Sequence, residues 1–401
     1  MKVLVLGHGI SSDGVVNLLS HDNIDYDYLD VDEVTSFNYL YVVKSPGIPF
    51  DSDIIVGFLK FGIEVITDIE LAYRLRKKIY IGVTGSNGKT TTVSLINEIL
   101  KTKYEVVCCG NIGYSVCQAL LDYEDCNIFI VECSSFQLEA SKVCFDISVL
   151  LNVNPSHLDH HNSFDDYIKA KSNICRYLNN NSIFIYNGDD DICKSVSNIT
   201  LANKYYFSYC NGDCYIKSNK LYYKSTYIID VDDFSYGFIY DVMASVLVSV
   251  NMGIEVDNIR EVIKNFKPVI YRFNKINDYI YNDAKSTNPY STISALCKLD
   301  NVFLICGGYD RKEDLSCLDN YIDKIKTVFC YGETKNKIFD YFKMNNKECF
   351  IYDDLEEALK DSLAKRVDEV ILFSPMFASY DQFKNYEQRG KIFSELCQKL
   401  L

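Results

Sequence analysis

Short apolar runs recur along the chain, each closed by a turn signal and most followed by a stretch of helical periodicity. "KVLVL" at 2–6, "YDYLD" at 26–30 and "YLYVVKS" at 39–45 read as strands, with helices expected over 12–20 and 68–76. A second segment opens with "KIYIGVTG" at 78–85 and enters a helix expected over 89–100. It continues through two near-unbroken apolar runs, "NIFIVEC" at 127–133 and "ISVLLNVN" at 147–154. Runs of that kind are expected of central parallel strands, which are covered on both faces and have no solvent side to alternate with. The Tyr-rich, turn-laden stretch 208–233 predicts a β-meander or hairpin insertion, and a long helix is expected over 240–251. "NFKPVIYRF" at 265–273 reads as a linker. Alternation then returns in "YIYNDAKS", "NVFLICGG", "KTVFCYG" and "EVILFSP", with a final helix expected over 381–401.

The pattern predicts an α/β chain of three domains. A Rossmann-like unit spans 1–77, and a P-loop ATPase-like, mostly parallel sheet with a small β insertion spans 78–267. A second Rossmann-like domain spans 268–401. Binding clefts are expected at the carboxyl ends of the strands.

Composition narrows the class. The net charge of −14 argues against a nucleic-acid partner, and no run approaches the ~18 apolar residues that cross a bilayer. The amino-terminal run lacks the longer apolar core of a secretion signal, so a cytoplasmic location is expected. The 16 cysteines are scattered through apparent core segments without paired metal-site spacing, which favours buried, reduced thiols over disulfides.

Candidate chemistry begins at "GVTGSNGKTT", 82–91. Gly85, Ser86, Asn87 and Gly88 form a turn whose backbone N–H groups are suited to phosphate oxygens. Lys89 supplies a charge for the β- and γ-phosphates, Thr90 a hydroxyl for Mg²⁺, and Thr91 completes the expected ATP-binding run. The strict P-loop spacing asks for glycine six positions before the lysine, where this chain has Val83. "GHGISS" at 7–12 is half of a dinucleotide fingerprint, with Asp30 placed about where a ribose-reading acid would stand; taken alone, a tight turn explains it equally well. Three of the five histidines fall within 157–161. A zinc site would need further ligands that the sequence does not offer, and a surface loop is the plain alternative. Placed after a buried strand in an ATP-binding domain, His157 better suits a direct or second-layer Mg²⁺ role beside Glu132, a carboxylate at the end of an expected strand that would otherwise be a structural ion-pair partner.

"GVTGSNGKTT", "GNIG" at 110–113, "VECSSFQLE" at 131–139 and "NVNPSHLDHH" at 152–161 occur in the order found in Mur ligases, and the chain resembles that family over essentially its whole length. Those enzymes use ATP to form amide bonds in peptidoglycan synthesis, and their variant of the phosphate loop accounts for Val83. "NDAKSTN", "CGGYDRKEDL" and "SPMFASYDQFKNYEQRG" resemble the family's D-glutamate-adding members.

The resemblance implies ATP, two Mg²⁺ ions, and the small-molecule substrates UDP-N-acetylmuramoyl-L-alanine and D-glutamate, handled by a monomer. It places Thr90, Glu132, His157 and Lys171 around metal, Lys171 as a carbamate. Lys89, His157 and Lys171 would serve catalysis. Arg272 and Asp283 would join the loop in contacting ATP. Ile10, Ser11, Asp30, Gly47, Asn111, Ser134 and Gln137 fall on the UDP-linked substrate, and Thr287, Arg311, Ser374 and Phe383 on D-glutamate. From the residue pattern alone, Lys171 is an ordinary helix-surface lysine. The chain departs from the family at Gly237, Phe238 and Asp241, where H-N-x-x-N is usual, and at Tyr271, where histidine often precedes the arginine. A Mur-type ligase for another amino acid and a regulatory P-loop NTPase are the alternatives.

Overall fold

The computed structural model describes residues 1–158, 160–232, 234–266 and 270–401. The middle of the expected linker at 265–273, with the last position of the expected meander (233) and Asp159 of the histidine-rich motif, lies outside the described residues. The cysteines are free thiols, most of them buried. Among the described residues no helix is long and apolar enough to cross a membrane.

The first sheet comprises β1 (Val3–Leu6), β2 (Tyr26–Leu29), β3 (Tyr41–Lys44) and β4 (Glu64–Ile66), with α1 (Ile10–His21), α2 (Asp53–Lys60) and α3 (Asp68–Leu75). All its pairings are parallel, in the order β2-β1-β3-β4.

The second sheet has nine strands. These are β5 (Ile79–Thr84), β6 (Val106–Gly110), β7 (Ile128–Glu132), β8 (Ile147–Leu150), β9 (Ile183–Asn187), β10 (Asn203–Ser208), β11 (Cys214–Lys217), β12 (Lys220–Tyr223) and β13 (Thr226–Asp230). Its helices are α4 (Lys89–Leu100), α5 (Val116–Asp122), α6 (Ser135–Leu138), α7 (Phe164–Arg176), α8 (Asp191–Val196), α9 (Tyr236–Asn251) and α10 (Val256–Asn265). The order is β13-β12-β11-β10-β9-β8-β5-β7-β6. The Tyr-rich stretch is therefore an antiparallel β11–β13 meander that extends the parallel sheet at one edge.

The third sheet holds β14 (Asn274–Asn277), β15 (Ile280–Asn282), β16 (Val302–Gly307), β17 (Ile325–Tyr331), β18 (Glu348–Ile351) and β19 (Val370–Met376). Its helices are α11 (Pro289–Leu296), α12 (Lys335–Met344), α13 (Leu355–Lys365) and α14 (Tyr386–Leu400), and its order is β14-β15-β19-β16-β17-β18. The last helix begins at Tyr386, not 381, because Asn385 is its N-cap and accepts from the Gln388 N–H. α9 begins four residues earlier than the expected 240.

By internal packing the chain forms two compact units. Residues 1–153, 160–232 and 240–266 make the first, and 154–159, 233–239 and 267–401 the second. Within the first unit, one hydrophobic cluster runs from Val3 and Leu18 through Ile69 and Val116 to Phe129 and Phe184, so the first two sheets share a core.

Each sheet has one strand from which the chain first leaves toward one edge and later returns to pair on the other side, the position where open α/β sheets leave a crevice. These strands are β1, β5 and β16. The loops leaving them carry Gly7–Ser11, Gly85–Lys89 and Gly307–Arg311.

Candidate active site

At the end of β5 the chain turns through Gly85–Gly88 into α4, with Gly88 at φ +89° as the N-cap. The helix has neither a capping side-chain bond nor an acidic residue in its first turn, which leaves its N-terminal amides suited to an anion. Lys89 Nζ donates to the carbonyls of Gly85 at 2.7 Å and Ser86 at 3.1 Å, so it lies along its own loop. Asn152, just past β8, clamps this loop from beneath. Its Oδ1 accepts from Asn87 N–H at 2.8 Å, its Nδ2 donates to Asn87 O at 3.1 Å, and its own carbonyl accepts from Ser86 N–H at 2.9 Å. Asn187 in turn donates to Leu151 O at 3.0 Å. Neither asparagine was singled out in the sequence: Asn152 heads the motif at 152–161 without a role of its own, and the strand that ends at Asn187 was not read there.

Glu132 ends β7 and pairs across the sheet with Val83. One carboxylate oxygen accepts from Asn111 Nδ2 at 3.0 Å; the other is buried without a hydrogen-bond partner among the described residues. A desolvated, half-satisfied carboxylate beside a phosphate loop fits a divalent cation, whose charge would offset the cost of that burial. Among the described residues no three His, Cys, Asp or Glu side chains form a ready metal cluster. That is compatible with Mg²⁺, which keeps several waters and substrate phosphates among its ligands.

Lys171 is not on a surface. It lies on the buried face of α7, and its Nζ donates to Gly85 O at 2.9 Å and Thr84 Oγ1 at 3.3 Å, with the Tyr167 ring 4.8 Å away. Burial first, then the positive charge of Lys89, hold its amine well below the usual lysine range. The Tyr167 hydroxyl meets Ser86 Oγ at 2.9 Å, so one turn of α7 supports both the loop and the lysine.

On the first sheet, Gly7 at φ +82° lets the chain pass Ile48, whose side chain would stand 2.8 Å from any Cβ there. Lys44, read in the sequence only as part of a strand, is buried and donates to Ile48 O at 2.8 Å, fixing the turn that contains Gly47. Ile10 and Asp30 are exposed; Asp30 also caps the short turn that follows it. Ser134 and Gln137 form a capping box on α6. The Gln137 amide faces the buried Asp68 carboxylate at 3.4 Å, and the Ser11 hydroxyl donates to the same group. Asp68, a first-turn helix residue in the sequence reading, thus holds two of the expected substrate contacts.

The second unit carries His157, half-buried at φ +58°, and the remaining candidates. Asp283 is buried after β15. It accepts from Ser286 Oγ at 2.6 Å, Ser374 Oγ at 2.8 Å and Phe273 N–H at 3.0 Å, yet burial still raises its carboxyl to about 6. Arg272 is close enough for its charge to oppose that rise. Ser374 is buried and shares its hydroxyl between Asp283 and Thr292, so the structure engages it in a network and does not leave it open to ligand. Thr287 is half-buried in the same loop. The Arg311 guanidinium lies 5.2 Å from the centre of the Tyr380 ring and has no ion-pair partner among the described residues. Phe383 packs at the edge of the apolar cluster around Phe373 and Phe393. Arg389 was missed by sequence reading. Fully buried, it donates to Phe377 O and Ala284 O at 3.0 Å each, tying the segment before Phe383 to the loop after β15.

Residues 83–245 match the Mur ligase middle domain. A UDP-N-acetylmuramoylalanine–D-glutamate ligase of Bacillus thuringiensis (strain Al Hakam) is 34% identical over 386 residues, covering 92% of this chain and 85% of the relative. The protein of the same name from Caldicellulosiruptor bescii is 34% identical over 382 residues, 90% of this chain and 84% of its own. Among solved structures, the MurF ligase from Thermotoga maritima in complex with ADP aligns with a TM-score of 0.64 at 20% identity, over 99% of this chain and 95% of that one. A pseudomurein peptide ligase type C from Methanothermus fervidus aligns with a TM-score of 0.67 at 18% identity over the full length of both. At those identities the two structures speak for the fold.

Proposed function

Because the chain belongs to the Mur ligase family, we propose that it is an ATP-dependent ligase that adds D-glutamate to UDP-N-acetylmuramoyl-L-alanine. The observation that carries the reading is the loop Gly85–Lys89 at the switch point of the second sheet, with the half-partnered Glu132 on the neighbouring strand. Such a site holds a polyphosphate and a cation together, as activation of a carboxylate by ATP requires.

In the proposed reaction the alanyl carboxylate attacks the γ-phosphorus and ADP leaves. The amine of D-glutamate then attacks the acyl phosphate carbonyl, and phosphate departs. Lys89 would leave the carbonyls of its own loop for phosphate oxygens, and the α4 amides would share that charge. Thr90, Glu132, His157 and a carbamylated Lys171 would hold two Mg²⁺ ions, which would neutralise the repulsion between carboxylate and triphosphate. The depressed basicity of Lys171 supports the carbamate, since only a neutral amine reacts with CO₂.

Arg311 would take the D-glutamate carboxylate, for which its two-pronged guanidinium is suited. Thr287 and Phe383 would complete that pocket, with Ser374 and Arg389 positioning it. Arg272 and Asp283 would contact ATP. Ile10, Ser11, Asp30, Gly47, Asn111, Ser134 and Gln137 would line the UDP-linked substrate. In this reading 1–77 takes that substrate, 78–267 takes ATP and 268–401 takes the amino acid, in a monomeric cytoplasmic enzyme.

The test is phosphate release from ATP with UDP-N-acetylmuramoyl-L-alanine, Mg²⁺ and a panel of amino acids. Turnover with D-glutamate alone is expected. Turnover with another residue would make the chain a different Mur-type ligase, and turnover with no amino acid would favour the regulatory NTPase.

A further inference from the structure

Asp241 stands on α9 where the family motif has asparagine, and its position within the first unit gives that difference a consequence. The side chain is buried, and its Oδ1 accepts from Thr92 Oγ1 at 3.2 Å. The same oxygen lies 2.2 Å from where a Cβ on Gly88 would sit, so it occupies the space beside the N-cap of α4. The first turn of α4 has no carboxylate of its own, which makes Asp241 an acid supplied from another helix to the positive end of this one. A carboxylate there stabilises the loop in the absence of nucleotide, because it offsets the positive end of the helix dipole. It also opposes a phosphate group that must bind at the same amides, since two anions within several ångströms repel in a partly desolvated cleft.

We propose that Asp241 is a built-in electrostatic competitor for the phosphate site, which makes nucleotide binding strongly dependent on Mg²⁺. The proposal rests on the ATP-site reading. Without the cation, Asp241 and Glu132 both face an incoming polyphosphate from the protein side. With it, the nucleotide arrives carrying less negative charge and the penalty from Asp241 falls. Asparagine has the same shape and keeps an oxygen for Thr92, so Asp241→Asn removes the charge while preserving that contact.

The experiment is ADP binding by calorimetry to the intact wild-type and Asp241→Asn proteins, each without divalent cation and with saturating Mg²⁺. Thermal unfolding of both unliganded proteins is the second readout. Without Mg²⁺ the variant is expected to bind ADP about 5- to 30-fold tighter than wild type, the range for one charge several ångströms away. With Mg²⁺ the gap is expected to shrink to within about 3-fold, and the unliganded variant is expected to melt slightly lower because the helix end has lost its counter-charge. Thr92→Val, which keeps the carboxylate and removes the hydroxyl, should bind Mg²⁺-free ADP like wild type. Equal or weaker Mg²⁺-free binding by Asp241→Asn overturns the proposal, as does the same gain in Thr92→Val. Failure of the wild type to bind ADP even with Mg²⁺ would remove the ATP-site reading itself, a result distinct from equal affinities.

Discussion

Lys171 is where the residue scale matters most, because its chemistry depends on which face of α7 it occupies. Burial and the neighbouring positive charge of Lys89 favour the neutral amine at Lys171, even though its Nζ donates to the Gly85 carbonyl. If it becomes an anionic carbamate, Lys171→Ala should lose most phosphate release in the ligation assay. Formate or acetate should then restore part of it by standing where the carbamate was. Full activity of the Ala variant in CO₂-depleted buffer would return Lys171 to a packing role. Arg311 offers a second test at this scale. Its guanidinium lies over the Tyr380 ring and has no carboxylate partner among the described residues, so Arg311→Ala should raise the KM for D-glutamate by about 10- to 150-fold, equivalent to roughly 1.5–3 kcal/mol. A change confined to the KM for ATP would place Arg311 outside the amino-acid pocket. Both side chains were visible as letters in the sequence; burial and the absence of an ion-pair partner were not.

At the scale of elements, the junction of β5 with α4 works only with a residue that accepts positive φ and carries no side chain. Gly88→Ala would put a methyl group 2.2 Å from Asp241 Oδ1 in a left-handed conformation. We expect a loss of about 1–3 kcal/mol in denaturant unfolding, with weakened nucleotide binding. An unchanged midpoint would mean that the loop is looser than its contacts imply. The junction of α6 with α7 carries a pH dependence. His161 is buried with Nδ1 3.2 Å from Glu139 and Nε2 3.0 Å from Ser135 Oγ. A neutral ring satisfies both, donating from Nδ1 and accepting the serine proton at Nε2. Burial pushes its pKa down to about 4. As pH falls from about 6.5, the ordinary histidine value, the unfolded chain therefore takes up this proton before the folded one does. Stability from this group is complete above about pH 6.5 and is lost progressively toward pH 4. The melting temperature of His161→Gln should accordingly fall less than that of wild type across that window. Parallel curves would assign the proton uptake elsewhere.

For the whole molecule, the net charge of −14 would repel the anionic substrates of the proposed reaction, ATP, D-glutamate and the UDP-linked precursor alike. Long-range repulsion should slow their encounter at low salt, so raising ionic strength from about 10 to about 150 mM should speed ADP association severalfold, as measured by stopped flow. A slower association would mean that the local field at the phosphate loop outweighs the global charge. Much of the architecture was legible in the sequence. Glycine placement and unbroken apolar runs determined that β5, β7 and β8 are covered parallel strands, and α4 spans the expected residues. The turn at Gly85–Gly88 and the start of α4 were legible too, because they rest on backbone conformation and neighbours in the chain. Strand order, by contrast, is set by long-range pairing. Only the fold put β7 and β8 on either side of β5, bringing Glu132 and the Asn152 clamp to the same loop. Periodicity could not decide the environment of Lys171 or Asp68, since a charged residue in a helix faces solvent unless another element covers it. Tertiary structure buried both, one beneath the phosphate loop and one between Ser11 and Gln137, because burial is a property of what packs against a residue and not of the residue itself.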